Sequence, residues 1–123
     1  MAKKSHLDRT FQQALQYSQQ NKVLEAIKLY EQILDEDLGY TMVYHNLTES
    51  LMNIGKSDIA LLRLQNAEGK YPNDAYLLMA IGGFYFRFDD LKKAQSYFHK
   101  VVLLNPKSAE IFSNLAGLSL IHI

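Results

Sequence analysis

Residues 80–86 read "AIGGFYF", two adjacent glycines inside an apolar run. A glycine in a helix interior costs about 1 kcal/mol relative to alanine, so a helix through this stretch needs a reason for Gly82 and another for Gly83. Three are available: a phosphate-binding loop, a membrane segment, or a close approach by a second helix. A phosphate loop carries Lys-Ser/Thr after its glycines and opens a helix there, whereas Phe84-Tyr85-Phe86 follow here. A membrane span needs about 20 apolar residues, and this run, "LLMAIGGFYF", closes at Arg87. Close approach remains.

The rest of the chain supports it through an internal period. Pro72 and Pro106 stand 34 residues apart, each after a helix-like segment. At that spacing the sequence falls into columns: Ala26, Ala60, Ala94; Tyr30, Leu64, Phe98; Ile33, Ala67, Val101. The first half of each unit is as regular, with Tyr44, Leu78, Phe112 and with Leu47, Ile81, Leu115. Tyr17, Leu51 and Tyr85 align as large residues, while Ala14, Thr48, Gly82 and Ala116 are all small. Gly82 therefore sits where every unit places a small side chain.

These columns resemble the tetratricopeptide repeat, a 34-residue helix–turn–helix unit with the pattern W-x2-L-G-x2-Y, then A-x3-F, then P. Its third copy here has Leu78 in place of the Trp, then Ile81, Gly82, Tyr85, Ala94, Phe98 and Pro106. The second keeps Leu47, Ala60, Leu64, Ala67 and Pro72, with Thr48 for the glycine. The first keeps Ala14, Tyr17, Ala26 and Tyr30, but Gln13 and Leu38 depart from the Leu and the Pro. The resemblance implies an all-α protein, an α-solenoid of stacked antiparallel helix pairs, because one pair cannot bury its apolar face alone.

Apolar spacing predicts helices over 7–20, 24–37, 41–54, 58–70, 75–88, 91–104 and from 109 onward. Asp74 and Ser108 precede their helices as capping side chains, and Gly55-Lys56-Ser57 turns the chain inside the second unit. The expected organisation is a leader over 1–6, units of about 7–40, 41–74 and 75–108, and a partial fourth over 109–117. In the last six residues, "LSLIHI", Ser119 falls in the column of Tyr17 and Tyr85, and no polar capping helix follows. Those residues resemble one reading frame of a transposon end used in sequencing adapters. Residues 118–123 are therefore expected to be a non-native tail on a fragment of a longer protein.

Composition removes several functions. Thirteen basic and thirteen acidic side chains cancel, leaving no cationic surplus for phosphate neutralisation, so no nucleic-acid partner is expected. The chain has no cysteine, which removes thiolate chemistry and cysteine-based zinc sites. The N-terminus has no apolar run after Lys3-Lys4, so no signal peptide is read there; a cytoplasmic protein without a membrane partner is expected. His6, His45, His99 and His122 are scattered, without the paired spacing of a metal set. Asp35-Glu36-Asp37 and Asp89-Asp90 read as solvated charge rather than a calcium loop, and no Ser is flanked as a nucleophile elbow. No catalytic residue, metal or cofactor is expected, and the chain is not read as an enzyme.

A binding surface is what remains. The resemblance implies that the first helix of each unit lines a concave groove holding a peptide. Position by position, the lining would be Asp8, Phe11, Leu15 and Ser18; Met42, His45, Asn46, Glu49, Met52 and Asn53; and Tyr76, Met79, Gly83, Phe86 and Arg87. Methionines and aromatics dominate, which suits apolar segments. One branch of the family grips a C-terminal carboxylate with a Lys/Asn/Arg clamp. Asn46 alone matches it, since Phe11, Leu15, Met42, Tyr76 and Ala80 occupy the other positions, which argues against a chaperone tail. The expected function is a scaffold or adaptor that binds a protein or peptide partner by apolar contact. Two alternatives stay open: the N-terminal recognition arm of a larger enzyme such as a transferase, and self-association through an open C-terminal helix.

Overall fold

The computed structural model describes residues 2–104. Within them lie α1 (Ala2–Gln19), α2 (Val23–Glu36), α3 (Val43–Asn53), α4 (Ser57–Lys70), α5 (Ala75–Arg87) and α6 (Leu91–Leu104). The fold is all-α, built from the helix pairs expected of an α-solenoid. The fourth unit, with Pro106, Ser108, Phe112, Leu115 and Ala116, and the segment 118–123 lie outside the described residues. The chain divides into two compact units, Met1–Arg63 and Leu64–Ile123, with the division falling inside α4.

In the first unit α1 packs on α2, and α2 on α3; in the second, α5 packs on α6. The repeat columns form the core. Ala26, Ala60 and Ala94 are buried, as are Tyr30, Leu64 and Phe98, and Ile33, Ala67 and Val101. Tyr44, Leu47, Leu78 and Ile81 are buried on the first helices of their pairs. In α1 the matching positions are the half-buried Thr10 and the exposed Gln13. A Cβ built on Gly82 would lie 3.0 Å from Cζ of Phe98 and closer still to Cε1 and Cδ1. The first glycine is thus the seat of the Phe98 ring, and it lets α5 and α6 meet at van der Waals distance.

Two boundaries differ from expectation by more than one residue. Helix α1 begins at Ala2 rather than residue 7, so the expected leader continues the helix. Ala, Lys and Ser include no helix breaker, Thr10 Oγ1 donates to the His6 carbonyl, and His6 Nε2 lies 3.4 Å from Glu36 of α2. Helix α3 begins at Val43 rather than 41. The Gly39 N–H donates to Asp37 Oδ1 and the Tyr40 N–H to the Asp37 carbonyl, holding the chain in turns up to Thr41.

A feature of the turns escapes the column reading. Asn21, Gly55 and Asp89 have φ of 63°, 77° and 63°, all in the left-handed region. They are one period apart, and the hydrogen bonds around them repeat: Lys22 N to Tyr17 O, Lys56 N to Leu51 O and Asp90 N to Tyr85 O, at 2.8, 2.8 and 2.9 Å. This six-to-one bond after a left-handed residue is the Schellman ending of a helix, and it explains the Tyr17/Leu51/Tyr85 column as the residues whose carbonyls accept it. Glycine adopts this φ freely, whereas Asn and Asp adopt it at a cost. Asp89→Gly should therefore gain up to about 1 kcal/mol, and Gly55→Ala should lose about 1–2 kcal/mol. Urea titrations of both variants check the pair, and a stabilised Gly55→Ala would contradict it.

Side-chain bonds tie successive second helices. Arg63 of α4 forks onto Glu31 of α2, with Nε to Oε1 at 3.0 Å and Nη2 to Oε2 at 2.7 Å. In the second unit the Tyr97 hydroxyl of α6 donates to Glu68 of α4 at 3.0 Å. Burial and the Glu68 carboxylate together push the Tyr97 phenol up to about 12. The Tyr97 ring stacks on Tyr85, their centroids 6.0 Å apart. Asp74 caps α5 by accepting from the Leu77 N–H at 3.0 Å, as its place after Pro72 implies.

Candidate functional site

The lining residues divide by how the two units use them. In the first unit Phe11 is buried, its ring centroid 6.2 Å from Tyr30 and 5.8 Å from Tyr40. Tyr40 also donates its hydroxyl to Asp8, and burial with that carboxylate pushes the phenol up. Asp8 and Phe11 are therefore held by Tyr40 at the entry to α3. Tyr40 occupies the column of Asp74, where the next unit has its capping side chain. Consistent with that exchange, the N-cap residue of α3, Met42, makes no side-chain cap hydrogen bond.

Leu15, His45, Asn46, Glu49 and Met52 are half-buried in the first unit, while Met42 is 45% exposed. In the second unit Met79 is buried, Tyr76 and Gly83 are half-buried, and Arg87 is exposed. Phe86, also on α5, leaves 41% of its surface open. Met79→Glu would place a carboxylate in a site 7% exposed and damage the fold itself. Met42 and Phe86 are the cleaner probes of the face. Gly83 differs from Gly82 in having no neighbour within 4 Å of an added Cβ among the described residues.

His45 is the titratable group of this face that responds to burial. Burial lowers its pKa, and Glu49, one turn along α3, opposes the shift. A lowered folded-state pKa means that the unfolded chain binds the proton more readily, so stability is full above about pH 6.5 and falls as the pH drops below it. His45→Gln should remove that part of the acid loss. Unfolding free energies at pH 7.5 and 5.5 check it, and an unchanged difference between the two would refute it.

Among the described residues no group of three or more His, Cys, Asp or Glu could hold a metal ion, and no helix is long and apolar enough to cross a membrane. Repeated helix pairs, a small-residue seat for the facing helix and a periodic left-handed turn define a helix–turn–helix repeat protein. No family model matches the sequence, and no curated protein matches it. Among solved structures the chain is similar to the first TPR of Spaghetti (RPAP3) bound to the HSP90 peptide SRMEEVD, with a TM-score of 0.64 and 18% identity over 90% of each chain. The chain has the tetratricopeptide-repeat fold.

Proposed function

We propose that this chain is a protein-interaction module that binds a peptide or a short helix, without turnover, through lining residues of the first helices of its repeats. The observation that carries this reading is the placement of Met42 and Phe86, large apolar side chains at lining positions that remain 45% and 41% exposed. Neither is needed to fill a core, and methionine and phenylalanine together adapt to varied apolar partners. The similar domain in Spaghetti supports the reading in kind, since it holds a peptide.

The ligand chemistry differs from that domain's. The peptide SRMEEVD carries three acidic side chains near its end, and such a tail needs basic groups to receive it. The lining here offers Asn46 and Arg87 but also Asp8 and Glu49, so an apolar segment is the better fit. A cytoplasmic setting belongs to the same reading.

Selection of random twelve-residue peptides displayed on phage against the full chain tests the proposal. Selected sequences should be rich in Leu, Met and aromatics, and Met42→Glu or Phe86→Glu should weaken them several-fold with the melting curve unchanged. Failure to select any peptide, or binding indifferent to both substitutions, would sink it.

A further inference from the structure

We infer that Gly83 is a notch on α5 that seats one large apolar side chain, Leu, Met or Phe, of a bound peptide. This deepens the peptide-binding reading above and rests on it. The inference begins with the contrast between two neighbours in one helix. Gly82 is required by the Phe98 ring, which leaves no room for a Cβ. Gly83 has no such requirement: among the described residues nothing lies within 4 Å of a Cβ placed there, and its backbone has no left-handed φ. Among the described residues an added Cβ meets nothing, and almost any other residue would favour the helix more. The equivalent positions in the earlier units are Leu15 and Glu49, so the register accepts long side chains. Among the described residues, packing gives no reason for glycine at 83.

The surroundings say what the space suits. On the helix, Phe86 follows Gly83 by one turn and is 41% exposed, Ala80 precedes it by one turn with a small side chain, and Tyr76 stands two turns before it, half-buried. The notch is therefore bounded by the Phe86 ring and floored by the Gly83 backbone, while one turn back the helix is closed, with Ala80 1% exposed. From Ala75 to Phe86 the helix carries no charged residue, and Arg87 is the first. A charged side chain set over Gly83 would lose water and meet no opposite charge. An apolar one removes its own surface and that of Phe86 from water together. The occupant is thus an apolar anchor in an otherwise uncharged segment.

The probe is the tightest peptide from the phage selection, titrated by fluorescence anisotropy against the full chain and its variants. Gly83→Leu should fill the notch and weaken binding at least tenfold while melting at or above the wild-type temperature; Gly83→Ala should weaken it less than threefold. Truncating the peptide's anchor to Ala should weaken wild type strongly and Gly83→Leu hardly at all. A lowered melting temperature for Gly83→Leu would mean that the chain itself fills the space, which overturns the notch. If Gly83→Leu binds as wild type while Phe86→Glu does not, the notch is wrong and the face stands. If neither substitution matters, the peptide-binding reading fails with it.

Discussion

Gly82→Leu is expected to abolish the cooperative melting transition or to lower its midpoint by many degrees. The Phe98 ring already occupies the place of a Cβ at position 82, and that ring is itself 4% exposed, so it has no solvent to move into. Overpacking by extra methylenes in a well-packed core costs about 1–3 kcal/mol, and leucine adds four carbons at the contact that joins α5 to α6. Against a total stability of roughly 5–15 kcal/mol, the loss is large. A cycle isolates the cause. Gly82→Leu combined with Phe98→Ala should be much less damaging than the sum of the two changes, because each relieves the strain or the void that the other creates. Circular dichroism melts of the four proteins decide it. Additive losses would mean that the two residues do not share the contact.

Tyr30→Ala should cost about 3–5 kcal/mol, the loss typical of removing a buried aromatic ring, while Tyr30→Phe should cost nothing or stabilise. The ring is wholly buried at the first-unit position equivalent to Phe98, and it meets the Phe11 ring. Its hydroxyl is a different matter. No group among the described residues meets the geometry of a hydrogen bond to Oη. Burial raises the phenol's pKa, and the Ser18 side chain offsets this only in part. A buried donor left unmade carries a desolvation penalty of about 1–3 kcal/mol, and phenylalanine removes the group that bears it. Urea unfolding of both variants tests the pair; a Tyr30→Phe protein weaker by more than 1 kcal/mol would show that the hydroxyl has a partner after all.

The helices and their order were legible because small residues and prolines recur at one period. Ala26, Ala60 and Ala94 read as core from their period alone, and they are buried. Turns were legible at Gly55-Lys56-Ser57 and at Asp89-Asp90, but not the left-handed residue that ends each preceding helix. Gly55 shares its positive φ with Asn21 and Asp89, whose side chains suit capping and surface positions equally well. The face was harder. Phe11 and Met79, expected in the lining, are buried, while Met42 and Phe86 remain open. The apolar alphabet of a core position and of a binding position is the same, so sequence cannot tell a ring that meets its own chain from one that awaits a partner. Tyr40 was missed because it stands in the column of a capping residue, and its work with Asp8 and Phe11 depends on a contact across 32 positions.

That separation has a meaning for how the chain is made. The bonds Asp8–Tyr40, Glu31–Arg63 and Glu68–Tyr97 join residues 32, 32 and 29 positions apart. During synthesis at about 5–20 residues per second, each partner leaves the ribosome roughly 2–6 seconds after the residue it will hold. A newly emerged helix therefore waits one repeat, and no longer, before the side chain that secures it arrives. Translation itself can deliver the fold in instalments, with the apolar face of each helix exposed for only the time needed to make the next.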